Sequence, residues 1–271
     1  MAIKMGTSAN DRLFGTWKQD VIFGYGGSDF LDGRAGADLM AGGRRNDVYI
    51  VDNAQDDVIE EAGGGRADMV KSRIGFELPD FVENLRLLGN KNLAGMGNEL
   101  SNQIIGNSGN NRLSGDEGSD KLAGAAGNDA IWGGDGKDLL RGGTGNDRLT
   151  GGDGGDILRG GDGADRFIFT SFLDSTSGRS RDTIVDFSQS EGDRIDLRKI
   201  DTDSFWSGDD DFRFIGTGEF GVSWSLFDGE LRYERRGGNT IIEGNIDDDD
   251  RAEFSILVKG IIDFHASDFI L

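Results

Sequence analysis

The chain has 271 residues, with 29 Lys+Arg against 50 Asp+Glu for a formal charge of −21, 46 Gly, one Pro, one His and no Cys. A surface this acidic repels phosphate backbones and anionic headgroups, which excludes a direct nucleic-acid binder and favours cationic partners, metal ions first. With no cysteine there is no disulfide framework, thiolate zinc site, iron–sulfur cluster or cysteine nucleophile, and the lone His265 cannot supply an H-E-x-x-H zincin.

The opening stretch MAIKMGTSANDRLFG has no apolar h-region, and no apolar run approaches the ~20 residues of a membrane span. Neither a Sec-type precursor nor an integral helical membrane protein is expected. A hydrophobic fraction of 35% is low, and so much glycine makes the unfolded chain rich in conformations. Something beyond an ordinary core must stabilise the fold.

A nine-residue period opens the chain. Gly6 is followed in phase by Gly15, Gly24, Gly33 and Gly42, with Asp11, Asp20, Asp29, Asp38 and Asp47 each five residues later and Leu13, Ile22, Leu31, Met40 and Tyr49 two residues past each Asp. GTWKQD and GGRRND place bulky residues where glycine is favoured, so this first block, residues 1–50, is the less regular one.

Residues 51–96 hold short alternating apolar stretches, among them Met69-Val70 and Ile74-Gly75-Phe76-Glu77-Leu78. They read as short strands and tight turns that continue a coil stack between two repeat blocks.

The second block, residues 97–168, starts at Gly97 and recurs through Gly106, Gly115, Gly124, Gly133, Gly142, Gly151 and Gly160. Its sixth positions are Asn102, Asn111, Asp120, Asp129, Asp138, Asp147, Asp156 and Asp165, and its eighth positions are apolar from Ile104 to Phe167. GGDGKDLLR, GGTGNDRLT and GGDGGDILR spell G-G-x-G-x-D-x-U-x, a pattern known as a calcium-binding β-helix repeat. The chemistry suits the positions. Glycines such as Gly133, Gly134, Gly136, Gly142, Gly143, Gly145, Gly151, Gly152 and Gly154 permit positive φ and bring carbonyls close to a common point, while the Asp adds a carboxylate. Ca²⁺ takes six to eight such oxygens at about 2.3–2.6 Å.

The three residues after each Asp are predicted to form a strand with the apolar residue inward. Two nonapeptides then make one coil of a right-handed parallel β-roll, an all-β fold, with ions between turns two repeats apart. Eight repeats in the second block offer six such pairs and five in the first offer three, with weaker binding expected at Asn102 and Asn111, whose amides lack the carboxylate charge. A flexible Gly/Asp-rich linker would have no reason to keep an apolar residue in strict phase. Outward positions such as Phe14, Phe23, Trp132 and Ile157 are apolar and suggest a cap, a flanking segment or a partner over them.

From residue 169 the composition changes. Residues 166–271 hold 12 of the 17 Phe, in pieces such as TIVDF, VSWSLF, ELRYE, NTIIEG and FSILVKG, and are expected to form a β-rich, sandwich-like cap over the roll. Asn245, Asp247, Asp249 and Glu253 have part of the spacing of a calcium loop, but Asp250 replaces its glycine and Arg251 stands nearby, so an acidic surface loop is an equal alternative. His265 beside Phe264 reads as structural.

Taken together the chain resembles the RTX exoproteins of Gram-negative bacteria, and residues 97–271 resemble the C-terminal domain of serralysin-type metalloproteases on the roll, DTIVDFSQSEGDRIDL, GELRY, GNTIIEG and the terminal DFIL. In size and layout it is also similar to the secreted calcium-binding nodulation proteins of rhizobia. The resemblance implies calcium on the repeat Asp side chains and loop carbonyls, and export by a type I ABC transporter through an uncleaved signal matching Asp268, Phe269, Ile270 and Leu271. It implies an extracellular protein meeting a host or surface component. Three functions are open at this point: a non-enzymatic calcium-binding protein that folds after export, a membrane-active pore former, and a carbohydrate-active enzyme with paired carboxylates.

Overall fold

The residues that follow each repeat Asp form strands, and strands 18 residues apart lie side by side in parallel, Arg12 opposite Phe30 and Ala130 opposite Arg148. The structure, a computed structural model, describes residues 1–200, 212–220, 229–246 and 251–271. The chain divides into two units, Met1–Ala126 and Gly127–Leu271.

Strands of the first unit are β1 (Ile3–Met5), β2 (Arg12–Phe14), β3 (Val21–Gly26), β4 (Phe30–Asp32), β5 (Leu39–Arg44), β6 (Val48–Val51) and β7 (Asp57–Ile59). They continue as β8 (Met69–Ser72), β9 (Phe76–Glu77), β10 (Asn84–Leu87), β11 (Ala94–Met96), β12 (Gln103–Ile105), β13 (Arg112–Gly118) and β14 (Lys121–Ala126). One sheet runs β1-β3-β5-β7, the facing one β2-β4-β6-β8-β10-β12-β14, and a third β9-β11-β13. This is a parallel β-roll. The connecting residues keep the stack although their coils change length: Val48 pairs with Met69, Met69 with Asn84, and Asn84 with Gln103.

In the second unit β15 (Ala130–Gly136), β17 (Arg148–Gly154), β19 (Arg166–Ile168), β21 (Arg194–Asp196) and the terminal β26 (Phe269–Ile270) form one parallel sheet. The other contains β16 (Leu139–Thr144), β18 (Ile157–Asp162) and β20 (Thr183–Ile184), followed by β25 (Phe254–Lys259), β24 (Asn239–Asn245), β23 (Glu230–Arg236) and β22 (Arg213–Gly216). The cap differs from the expected sandwich. β25 adds to β20 in parallel, and β24 and β23 extend the same sheet antiparallel, so the cap grows from the roll's own ladder and needs no second sheet pair. Its aromatic cluster joins Phe169 to Phe254 and links Phe187, Phe264, Tyr233, Phe214 and Phe269. Among the described residues the only helical element is the 3₁₀ turn Ala266–Asp268. The VSWSLF stretch lies outside the described residues.

The core is a column one side chain wide. Ile22, Leu31, Met40, Tyr49, Val70, Leu85, Ile104 and Leu122 fill it in the first unit, and Ile131, Leu140, Leu149, Leu158, Phe167, Ile184 and Ile195 in the second, all buried. The alternation of a three-residue strand puts the middle residue in and its neighbours out. Outward Phe14 packs on Phe30 with the Arg12 guanidinium over the latter ring, and Phe23 stacks on Tyr25. Trp132 and Ile157 are exposed.

Most of the turns have a left-handed backbone at the second repeat position. Gly152 has φ +99°, and a Cβ there would overlap the Gly134 carbonyl of the coil below. Ala125 occupies the same repeat position with φ +87°. An L side chain in that region costs about 1–2 kcal/mol, so Ala125→Gly should stabilise the fold by about 0.5–1 kcal/mol after glycine's greater unfolded freedom is subtracted. Thermal unfolding in saturating calcium should show a Tm higher by about 1–4 °C; a lower Tm would refute strain at this turn.

Candidate metal-binding ladder

The repeat aspartates stack coil upon coil. Each uses one carboxylate oxygen in the stack: the Asp11 N–H donates to Asp29 Oδ1 at 2.7 Å, Asp20 to Asp38 at 2.7 Å and Asp29 to Asp47 at 2.6 Å. In the second unit Asp129 donates to Asp147 at 2.7 Å, Asp138 to Asp156 at 2.8 Å and Asp147 to Asp165 at 2.8 Å. Asp120 is buried in the same role and receives the Asn102 N–H at 2.7 Å.

The second oxygen points at the first glycine of its own repeat. A Cβ on Gly142 would overlap Asp147 Oδ2 and the Gly160 carbonyl, one on Gly133 would overlap Asp138 Oδ2 and the Gly151 carbonyl, and one on Gly151 would overlap Asp156 Oδ2. Gly143 and Gly134 supply left-handed turns at φ +123° and +111°. Gly136, Gly145 and Gly154 let the loops stack, since a Cβ on Gly145 or Gly154 would strike the carbonyl of Gly127 or Gly136. Oδ2 of Asp29, Asp38, Asp47, Asp147, Asp156 and Asp165 is buried without a hydrogen-bond donor. Orphaned buried carboxylate oxygens are costly, and a row of them beside glycine-lined carbonyls is a donor set for a hard, oxygen-seeking cation.

Electrostatics give the same reading. Burial, opposed by the backbone N–H each accepts and reinforced by neighbouring carboxylates, pushes Asp38, Asp147 and Asp165 up to about 6 and Asp47 and Asp156 up to about 7. Carboxyls so placed need a proton or a cation to be stable where they are.

Not every predicted position is alike. Thr7 stands at the second place of its repeat, and its N–H and hydroxyl donate to Asp11 Oδ2 at 2.6 and 2.9 Å. Thr16 does the same for Asp20; burial raises that carboxyl, but the donors from Thr16 and Ala2 outweigh it and hold it below the usual carboxylate range. At Asn102 the side-chain NH₂ donates to the Glu83 carbonyl at 3.3 Å and to Asn98 Oδ1 at 3.1 Å. Asn111 donates likewise to Asn107 Oδ1 at 3.1 Å. The amide N–H there finds its own acceptors, whereas Oδ2 of aspartates such as Asp38 and Asp147, at the same place in other coils, has no donor.

The sequence reading missed several members: in-phase Asp56 receives the Asp38 N–H at 3.1 Å and Glu83 the Asp68 N–H at 2.9 Å. Asp68, Asp182 and Asp193 lie outside the nonapeptide phase, yet they receive the N–H of Asp47 at 2.6 Å, Asp156 at 2.8 Å and Asp165 at 2.9 Å. Burial raises Asp68 and Asp193 to about 6 and, with Asp156 close by, Asp182 to about 9. The available signal was the triplet D-x-U in Asp68-Met69-Val70, Asp182-Thr183-Ile184 and Asp193-Arg194-Ile195, which keeps the inward residue two places after the acid.

The model of the family described as peptidase M10 serralysin C terminal matches residues 6–271. The chain belongs to the serralysin C-terminal family. Solved structures similar to this serralysin C-terminal chain include the R2 and R3 subunits of a mannuronan C5-epimerase from Azotobacter vinelandii. R2 is 22% identical over 66% of this chain and 92% of its own, with TM-score 0.38, and R3 is 25% identical over 68% and 80%, with TM-score 0.26. The extracellular lipase LipA from Serratia marcescens is 14% identical over 99% of this chain and 40% of its own, with TM-score 0.30. No curated protein matches the sequence.

The remaining candidates fall elsewhere. Asp247, Asp249 and Asp250 lie outside the described residues, while Glu253 Oε2 accepts the Ile246 N–H at 3.0 Å. His265 is exposed, with Nδ1 3.8 Å from Asp268 Oδ2. Asp268 closes the 3₁₀ turn by accepting the His265 N–H and Gln189 Nε2, both at 2.7 Å. Phe269 and Ile270 form a strand on β21, and Leu271 follows it.

Proposed function

We propose that this serralysin C-terminal family protein is a secreted calcium-binding RTX roll that folds on binding Ca²⁺ after type I export and acts outside the cell, toward a host or surface component, without catalysis. The observation that carries this reading is the set of buried, donor-less Oδ2 atoms of Asp29, Asp38, Asp47, Asp147, Asp156 and Asp165, each facing a glycine of its own repeat. Calcium would supply the positive charge and the directional freedom to satisfy several oxygens at once. Asp29, Asp38, Asp47, Asp147, Asp156 and Asp165 would hold it together with loop carbonyls such as those of Gly42, Gly151 and Gly160.

The residues do the rest. Without a cation, stacked carboxylates repel one another, and a core one side chain wide buries too little apolar surface to offset the ordering entropy of so glycine-rich a chain. Cytosolic calcium is scarce and external calcium plentiful, so binding free energy becomes folding free energy on the outer side of the membrane. The terminal Asp268–Leu271 segment, which forms β26 only in the folded roll, stays accessible to a transporter while the chain is unfolded.

A calcium titration read by far-UV circular dichroism, with magnesium as control, tests the proposal. A cooperative gain of β signal at about 0.1–1 mM Ca²⁺ and none with Mg²⁺ is the expected result. A chain equally β-rich in chelator at neutral pH would overturn calcium-driven folding.

A further inference from the structure

The first repeat block ends where the phase breaks, and a distinct group of acids collects at that break. In the coils before it, the first repeat position is glycine in one coil and glycine again in the next, as in Gly6, Gly24 and Gly42, and each can accept the close approach of the stacked loop. The equivalent position one coil beyond Gly42 is Glu60. Its side chain follows β7 and turns inward, leaving the residue only 8% exposed.

Glu60 meets two ladder acids there. Asp47, Glu60 and Asp68 each place one carboxylate oxygen within 4.8 Å of the other two, and all three residues are buried. A second observation, independent of this clustering, points to a ligand: Glu60 Oε2, Asp47 Oδ2 and Asp68 Oδ2 are all buried with no hydrogen-bond donor. The surroundings leave room beside them. A Cβ on Gly64 would stand 2.8 Å from Glu60 Oε2 and 2.5 Å from the Gly43 carbonyl, so the absent side chain keeps a carbonyl and a carboxylate facing one space.

Tyr49 orients the group. It occupies the inward repeat position held by Leu, Ile or Met in neighbouring coils, and its hydroxyl donates to Glu60 Oε1 while accepting the Gly42 N–H at 2.8 Å. That engages Oε1 and leaves Oε2 as the oxygen without a donor. Three carboxylates at one buried point carry one negative charge more than two stacked repeat acids, and a matching cation relieves a larger repulsion.

We propose that Glu60 joins the ladder acids Asp47 and Asp68 in a three-carboxylate cation centre that shares Asp47 with the repeat ladder, is filled before the rest of it and takes calcium and trivalent lanthanide ions, with Tyr49 as its positioning residue. The proposal rests on the calcium reading of the ladder and adds to it a site of different composition. It ties β6, β7 and β8 together where the repeat is interrupted.

The test uses the full-length chain, with calcium counted by native mass spectrometry and terbium emission excited through tyrosine. Glu60→Gln is expected to lose one bound calcium and the tightest binding phase while the β signal at saturating calcium is retained. Tyr49→Phe should weaken that phase by about 10–100-fold, as removal of an orienting hydrogen bond does at other metal sites. It should also abolish tyrosine-excited emission from the first terbium equivalent. An unchanged ion count and tightest phase in Glu60→Gln would overturn the proposal and leave a shared proton among the three acids. If Glu60→Gln fails to fold, the wild-type excitation spectrum decides: a first terbium equivalent without a tyrosine band overturns the centre. A chain that binds terbium at Tyr49 yet shows no calcium-dependent β signal would defeat the folding proposal and leave this centre standing.

Discussion

In chelator, the protein is expected to be more stable at about pH 4.5 than at about pH 7.5, the reverse of its behaviour with calcium bound. The ladder carboxyls are raised in the folded state, Asp38, Asp68, Asp147, Asp165 and Asp193 to about 6, Asp47 and Asp156 to about 7 and Asp182 to about 9. In the unfolded chain an aspartate titrates near about 3.9. The folded apo form therefore binds more protons than the unfolded one between those values. Its stability contribution is complete below about pH 4 and is lost as pH rises through the folded values of about 6 to 9. In chelator, protons satisfy the orphaned oxygens at acid pH. One group that keeps one unit of its shift is worth about 1.4 kcal/mol, so a few of them favour the folded apo form at acid pH by about 4 kcal/mol. With calcium present the sign inverts, because a ligand must be deprotonated to bind the ion. The β signal in chelator and thermal unfolding in saturating calcium, each across this pH range, measure both slopes. A β signal in chelator that grows toward neutral pH would refute the picture of buried, unpaired carboxylates.

The second large effect belongs to the column of inward residues. Leu140→Ala should destabilise the calcium-loaded protein by about 3 kcal/mol, and Ile157→Ala by no more than about 1 kcal/mol. Leu140 is fully buried and stands opposite Leu158 in the next coil, whereas Ile157 is 45% exposed on the outer face. The roll is one side chain thick, so the void left at Leu140 has few neighbours that can collapse into it. A Tm lower by on the order of 10 °C in Leu140→Ala and a nearly unchanged one in Ile157→Ala would follow. On the proposed coupling of folding to calcium binding, the calcium midpoint should rise in the first variant alone. Equal losses in the two would mean that the outer face is covered in solution.

The cap shows how far composition carries and where it stops. Phenylalanine is dense after residue 168, where Phe169 packs on Phe254 and Phe187, Phe264 and Phe269 form a second cluster. That density does not reveal that β20 pairs with β25 across 74 residues, Thr183 opposite Leu257. Thr7, Thr16, Asn98 and Asn107 were similarly silent. Whether the second repeat residue donates to the sixth-position side chain, as Thr7 and Thr16 do to Asp11 and Asp20 and the Asn98 and Asn107 N–H groups do to Asn102 and Asn111, depends on a turn geometry that only the stacked loops create.

The nine-residue phase alone specifies where the strands fall, which residue of each points inward, and which acids line the turns. The reason is local: a three-residue strand has a single middle residue, and a turn that needs positive φ selects glycine at fixed places. Tertiary structure decides the rest, because once coils lengthen, as from Val48 to Met69, Ile157 to Thr183 and Arg166 to Arg194, spacing no longer says which acid stacks on which. Asp68, Asp182 and Asp193 enter the ladder through the sheet register, which the backbone hydrogen bonds enforce whatever the loop length between strands. Glu60 joins Asp47 and Asp68 by the same rule: the coil returns it to a place that glycine holds elsewhere, and the buried charge that results is a property of the stack.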